Sequence, residues 1–462
     1  MNEELIPADH ALDPQSFYTH ILGKNFSTIR QAALSASLGK LRNRFISWRL
    51  FLGVLNETDS AEGWIQASRE LRNEYHIMQE SYKKVHVQDL DPLIFNPLSQ
   101  SVENPWNSFY QDNELKQVIK NDIDRTFQER ALFQKEETKE MMIRVLFTWS
   151  KNNPEISYRQ GMNELLAVFF IVAVAEKFEK DDGIPEHAAR ILQELNDPTQ
   201  TEADIYWMFT RLMALSVKEL FLPVVVAKKK PINNLLSFEK SGYHNELVNT
   251  DKTNEASASV ILKRSHRIHH RFLQALDKQL YMYIESQKIE PQIYLQRWVR
   301  CLLSREFNLS DTLVLWDSIF ACAHIGEENR IEFFTGKLDF HKELVMLDFL
   351  CIAMIIFVRS FCIFYLVLQC DATGIMRRLL KFPPVEDVGI LISMANSYKE
   401  RILSGKGVTV PKIIHDMVED DPLRASKPEP KASFIPLPSP KSIKLTDKID
   451  TIIAILQEQS TL

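Results

Sequence analysis

The sequence predicts an all-α protein. Apolar residues recur at helical spacing, period-two alternation between glycine-rich turns is hard to find, and residues 165–175 are apolar on all sides, as a central buried helix would be. Met141, Met142, Val145, Leu146 and Trp149 show the spacing well. With 462 residues, 45% apolar composition and only 13 glycines, the chain has enough apolar surface for one large core or two modest ones. No repeat of the solenoid type shows itself.

Taken in chain order, residues 1–13 carry acids and a proline where a secretion signal needs a basic start and an apolar run. An N-terminal segment is expected over 1–39, a large helical domain over 40–400 and a tail over 401–462. Three stretches look like loop insertions: 86–104, rich in Pro, Asp and Asn; 176–204, which is acidic; and 228–257, which opens on Lys228, Lys229 and Lys230. Residues 344–370 are apolar and long enough to span a bilayer, but Asp348 and Arg359 interrupt them, each at roughly 3 kcal/mol in mid-membrane. Buried core helices are the preferred reading there, with a membrane anchor as the alternative. The tail is a flexible linker rich in Pro, Ser and Lys. Ile449, Ile452, Ile453 and Leu456 then share one helical face that suits a partner or the body equally well.

A net charge of −6 with scattered basic residues gives no nucleic-acid footprint. Cys301, Cys322, Cys351, Cys362 and Cys370 form no Cys-x-x-Cys pair and sit among apolar neighbours, so they read as reduced core residues of a cytoplasmic protein. Phosphate-binding, zinc-protease and serine-hydrolase signatures are all missing, so the chain carries no nucleotide or cofactor of its own. His266 and His270 have metal-ligand spacing, but they lie in a basic run without a nearby acid, and no metal site is assigned.

Two segments stand out. Leu115, Val118, Ile119, Ile123 and Phe127 follow helical spacing, which puts Asp122 and Arg125 three apart on one helix where they can pair. Further on, Tyr158-Arg159-Gln160-Gly161-Met162-Asn163 immediately precedes the apolar helix; glycine permits a tight turn there and leaves Gln160 at the helix edge. Each segment alone reads as an ordinary ion pair and an ordinary helix start.

Together they resemble the two signature motifs of the TBC-domain family of Rab GTPase-activating proteins: Ile119-x-x-Asp122-x-x-Arg125, then Tyr158-x-Gln160-Gly161. Further matches follow in family order: Arg44-x-x-x-Trp48, Pro291-Gln292-Ile293-Tyr294 with Arg297-Trp298, Arg305-Glu306-Phe307, and Leu315-Trp316-Asp317. The resemblance covers residues 40–400 and implies a two-lobed helical domain that binds a GTP-loaded Rab and stimulates hydrolysis by that partner. Arg125 would be an arginine finger, and Gln160 a second finger replacing the GTPase's own glutamine. GTP and Mg²⁺ would arrive with the Rab. Asp122 would hold Arg125, while Arg44, Trp48, Tyr158 and Gly161 would support the geometry. Trp298, Trp316 and Asp317 are assigned to core packing.

Asn96-Pro97-Leu98 and Trp106-Asn-x-Phe109 further resemble a branch of that family associated with late-endosomal Rab, the retromer coat and autophagy proteins. There Leu98, behind Pro97 and Asn96, would be a plug for retromer. The alternative is that Leu98 tucks into its own domain. Tyr18-Thr-His-Ile21 fits an autophagy-adaptor pattern that is common by chance. The resulting expectation is a cytoplasmic activator recruited peripherally to endosomal or autophagosomal membranes, with a non-catalytic Rab- or retromer-binding scaffold as the alternative. After Arg359 the sequence departs from the family pattern by adding apolar residues over 361–368.

Overall fold

The computed structural model describes residues 12–83, 104–178, 183–222, 260–323, 330–333, 336–339, 344–359 and 372–404. Near the start of the described residues, Asp13 caps the short turn Pro14–Ser16, its carboxylate accepting from the Gln15 and Ser16 amides. The longer helices then run α1 (Phe26–Leu34), α2 (Arg44–Phe51), α3 (Ala61–Lys83), α4 (Pro105–Ile123), α5 (Glu136–Asn152), α6 (Met162–Ala175), α7 (Glu186–Leu195) and α8 (Thr201–Leu212). After them come α9 (Val260–His266), which continues through a π-helical run Arg267–Leu273, and α10 (Lys278–Ser286), α11 (Gln292–Arg300) and α12 (Leu309–Ala323). The chain closes with α13 (Val345–Phe357), α14 (Ala372–Leu380) and α15 (Gly389–Ser404). One element departs from the all-α expectation: β1 (Arg330–Phe333) pairs antiparallel with β2 (Gly336–Asp339), Arg330 opposite Asp339.

Two groups of helices form the two lobes. In the first, α6 packs against α2, α4, α5 and α8, as its apolar sequence requires: every residue from Leu165 to Ala173 is buried. In the second, α13 is surrounded by α11, α12, α15 and the π-helical run. The seam between them is aromatic. Trp48 from α2 meets Phe169 from α6 at 5.8 Å and Phe320 from α12 at 5.0 Å, both edge to face, while Trp316 lies 5.9 Å from Trp48. Trp298 and Trp316 are fully buried, in line with their expected packing role.

Three expectations need correction. The boundary at 39/40 does not separate packing units, because Phe17, Ile21, Ile29, Ala33 and Leu38 are core residues and α1 packs on α12 and α15. Residues 176–204 are not a loop insertion. They contain α7 and the start of α8, and two of their acids are buried: Asp204 pairs with Arg72 at 2.7 Å, and Glu176 caps α2. Val118, read as part of an apolar stripe, is 46% exposed.

The apolar stretch from 344 begins with α13, whose Asp348 is held in the core by Arg264 at 2.6 Å and by Arg267. No helix among the described residues is long and apolar enough to cross a membrane. Cys301, Cys322 and Cys351 are buried free thiols. The departure at 361–368, the insertions at 86–103 and 228–257 and the tail beyond Ser404 lie outside the described residues, as do Asn96, Pro97 and Leu98.

Candidate functional site

The helix carrying Asp122 ends one residue later, at Ile123. Arg125 therefore sits in a turn beyond the helix end, where its amide bonds the Asp122 carbonyl at 3.1 Å and the Thr126 amide bonds Ile123 at 2.9 Å. This corrects the expected pairing, because the Asp122 carboxylate accepts from the Tyr158 hydroxyl at 2.8 Å instead. The neighbouring acid is taken as well, since Asp124 pairs with Lys139 at 2.9 Å. Arg125 is exposed, and its guanidinium has no ion pair or hydrogen bond among the described residues.

The second segment is a tight turn into α6. Ser157 and Gly161 both have left-handed backbone, φ +55° and +102°, and a side chain at 161 would also stand 3.6 Å from the Phe221 ring. Gln160, one residue before the glycine, is exposed. Tyr158 is buried in the opposite direction. Burial first, and the bond and charge of Asp122 next, push its phenol far above the usual range, so it stays a proton donor to that carboxylate.

What joins the two turns is Asn163, a motif residue whose role only the structure reveals. Its amide nitrogen donates to Thr126 Oγ1 at 2.8 Å, and Thr126 in turn donates to the Asp122 carbonyl at 2.9 Å. Its amide oxygen accepts from the Gly161 amide at 3.0 Å and lies 3.1 Å from the Tyr158 hydroxyl. One buried carboxamide thus bonds the residue after Arg125 and the residue after Gln160. With every donor and acceptor of such a network occupied, the geometry is fixed while the two flanking side chains stay in solvent. A polar residue at the start of an otherwise apolar helix was the available signal, because a buried amide must find partners.

Support comes from the other lobe. Arg305 donates to both carboxylate oxygens of Glu164, in the first turn of α6, with its Nε at 2.8 Å. Arg297 holds Glu306 in the same forked manner, at 2.6 and 2.7 Å. These links tie α11 and the turn after it to the start of the helix that follows Gln160.

Arg44 and Trp48 lie in the seam rather than on the surface. Arg44 Nε and Nη2 each meet one Asp317 oxygen at 2.8 Å, and Trp48 Nε1 donates to the same carboxylate at 2.8 Å. Asp317 therefore anchors an ion pair as well as packing. Burial works against the Arg44 charge, yet the Asp317 carboxylate more than compensates and raises its pKa. Glu176 accepts the Arg44 and Phe45 amides at 2.6 and 2.7 Å, filling the start of α2, and its burial pushes its carboxyl up to about 7.

A family profile, curated relatives and a solved structure all match the chain. The profile of the Rab-GTPase-TBC domain matches residues 42–240 and 234–346. The chain is 32% identical over 376 residues to TBC1 domain family member 5 of Homo sapiens, covering 80% of this chain and 43% of that protein. It is 26% identical to TBC1 domain family member 5 homolog B of Dictyostelium discoideum, covering 83% and 43%. The chain thus spans less than half the length of these relatives. Among solved structures, the Ypt/Rab-GAP domain of Gyp1p superposes with a TM-score of 0.52 at 17% identity, covering 81% of this chain and 93% of that one, a likeness of fold.

Proposed function

Because the chain belongs to the Rab-GTPase-TBC domain family, we propose that it accelerates GTP hydrolysis on a Rab-type partner by inserting Arg125 and Gln160 beside the γ-phosphate. The observation that carries this reading is Asn163, bonded on one side to Thr126 and on the other to Gly161. It holds two turns, distant in sequence, so that an uncommitted guanidinium and an uncommitted carboxamide are both offered to solvent.

The chemistry follows from what phosphoryl transfer lacks in a slow GTPase. Charge accumulates at the β/γ bridge and on the γ-oxygens, and a guanidinium supplied in trans neutralises it, a contribution of about 10³ to 10⁵ in rate. The planar fork reaches two oxygens at once, which an ammonium cannot do. The Gln160 carboxamide accepts from and donates to the attacking water, setting it in line without acting as a base. Since Asp122 and Asp124 are engaged elsewhere, no intramolecular carboxylate among the described residues must be displaced from Arg125 before it enters a phosphate pocket.

In this reading GTP and Mg²⁺ belong to the partner. A late-endosomal Rab, peripheral recruitment to endosomal or autophagosomal membranes, and contacts to retromer through Asn96, Pro97 and Leu98 extend the same proposal from the sequence resemblance. A purely binding scaffold is the competing reading, and two exposed side chains without partners among the described residues disfavour it, since binding alone requires neither. The deciding experiment is phosphate release from a panel of GTP-loaded Rabs with and without the purified chain. At least one Rab should be accelerated, and both Arg125→Ala and Gln160→Ala should remove most of the effect. Full stimulation by both variants would refute the two-finger mechanism.

A further inference from the structure

The helix that begins at α9 changes pitch midway, into the π-helical run Arg267–Leu273. Such wide turns cost hydrogen-bond geometry and recur where side chains are held for a purpose. This one presents His269 and His270 to α10, and a ligand atom from each of His269, His270 and Glu285 lies within 4.8 Å of the others. From this geometry we infer that His269, His270 and Glu285 form a binding site for a borderline divalent cation, with Zn²⁺ the best fit, independent of the site at Arg125 and Gln160.

The donor set is two imidazoles and a carboxylate, which suits Zn²⁺ and leaves one tetrahedral position for water; Glu285, 40% exposed, opens that side to solvent. The outer contacts are those of a ligand pair. His269 Nδ1 lies 3.1 Å from the Tyr294 hydroxyl and His270 Nδ1 lies 3.2 Å from the Tyr281 hydroxyl, leaving Nε2 of each ring as the remaining donor. A phenol hydroxyl both donates and accepts, so each tyrosine serves either tautomer of its histidine. His269 Nε2 lies 3.0 Å from a Glu285 carboxylate oxygen, which only accepts, so this contact calls for the neutral ring's proton on Nε2, donated to Glu285. With a cation between them, the proton moves to Nδ1 and faces the Tyr294 oxygen instead.

Of the basic residues on the same run, Arg264 and Arg267 are committed to Asp348, while Lys263 and Arg271 remain as opposing charges. Along the sequence no acid lies near His266 and His270. The acid comes from the following helix, which spacing along one helix could not reveal.

The test is titration of the EDTA-stripped full chain with Zn²⁺ against a chromogenic chelator, followed by Co²⁺ loading to read coordination from the visible spectrum. One equivalent should bind, with the bands of four-coordinate cobalt. His270→Gln and Glu285→Gln should each weaken it at least about 10-fold, Tyr281→Phe by about 10-fold, and His20→Gln not at all. Circular dichroism of each variant without metal identifies any that fails to fold; half-buried His270 and Tyr281 then decide the matter. If no equivalent binds, or if it binds undiminished to His270→Gln and Tyr281→Phe, the cluster is a hydrogen-bonded core histidine and the inference is wrong.

Discussion

Arg125 and Arg44 are the same residue type, both belong to sequence motifs, and the fold uses them in opposite ways. Arg44 is buried in the seam, its fork closed on Asp317 and its neighbour Trp48 on the same carboxylate. Arg125 stands in solvent at the end of a turn whose two acids are already committed to Tyr158 and Lys139. A buried guanidinium needs its partner inside the chain, because an unpaired charge in the core is unaffordable, whereas an exposed one costs nothing while it waits for a partner from outside. Membership in a motif says that a residue matters; burial and partner identity say for what.

The comparison is broken most easily at Arg125. Arg125→Ala should lower the chain's stimulation of phosphate release from GTP-loaded Rab by about 10³, with Arg125→Lys recovering little, and the melting temperature should be unchanged. A large loss of stability instead would mean that this side chain is structural after all. Asp317→Ala should do the reverse, destabilising the fold by about 3 to 5 kcal/mol in denaturant melts because it strands a buried charge. If Asp317→Ala were as stable as the parent, the seam would not depend on its ion pair.

Asn163 lies between these cases, buried like Arg44 but bonded to both finger turns. Asn163→Ala should cost about 1 to 3 kcal/mol of stability. It should also reduce maximal stimulation more than it weakens Rab binding, a split visible in single-turnover titrations. Equal loss of both would make it a packing residue only.

Glu176 gives the most specific signal. Its carboxyl is raised from 4.5 to about 7 in the folded protein, so over that range the native state holds a proton that the unfolded chain has released. Its contribution to stability is therefore undiminished below pH about 4.5 and declines as pH rises toward 7, by at most about 1.4 kcal/mol per pH unit. Glu176→Gln should flatten that part of the stability profile, and an unchanged slope would assign it to another group.

Much of the fold was legible in the sequence because its signals are local. The uniformly apolar 165–175 had to be central, and the charge at Asp348 marked a core segment over the described residues 344–359, where it is buried against Arg264. The acidic stretch 176–204 misled because composition counts charges without knowing that Glu176 and Asp204 have buried partners far away in sequence. Asp122 misled for the related reason that a three-residue spacing assumes the helix continues, and it ends at Ile123.

The sequence by itself determined the family, the helical class and the two segments from which Arg125 and Gln160 project, since residue type and short-range spacing are written directly in the chain. Only the tertiary structure decided which donor meets which acceptor: that Tyr158 donates to Asp122, that Asn163 bridges Thr126 to Gly161, and that Glu285 faces His269. Hydrogen bonds and ion pairs act over about 3 Å, and which groups come that close across dozens of residues is set by how the helices pack.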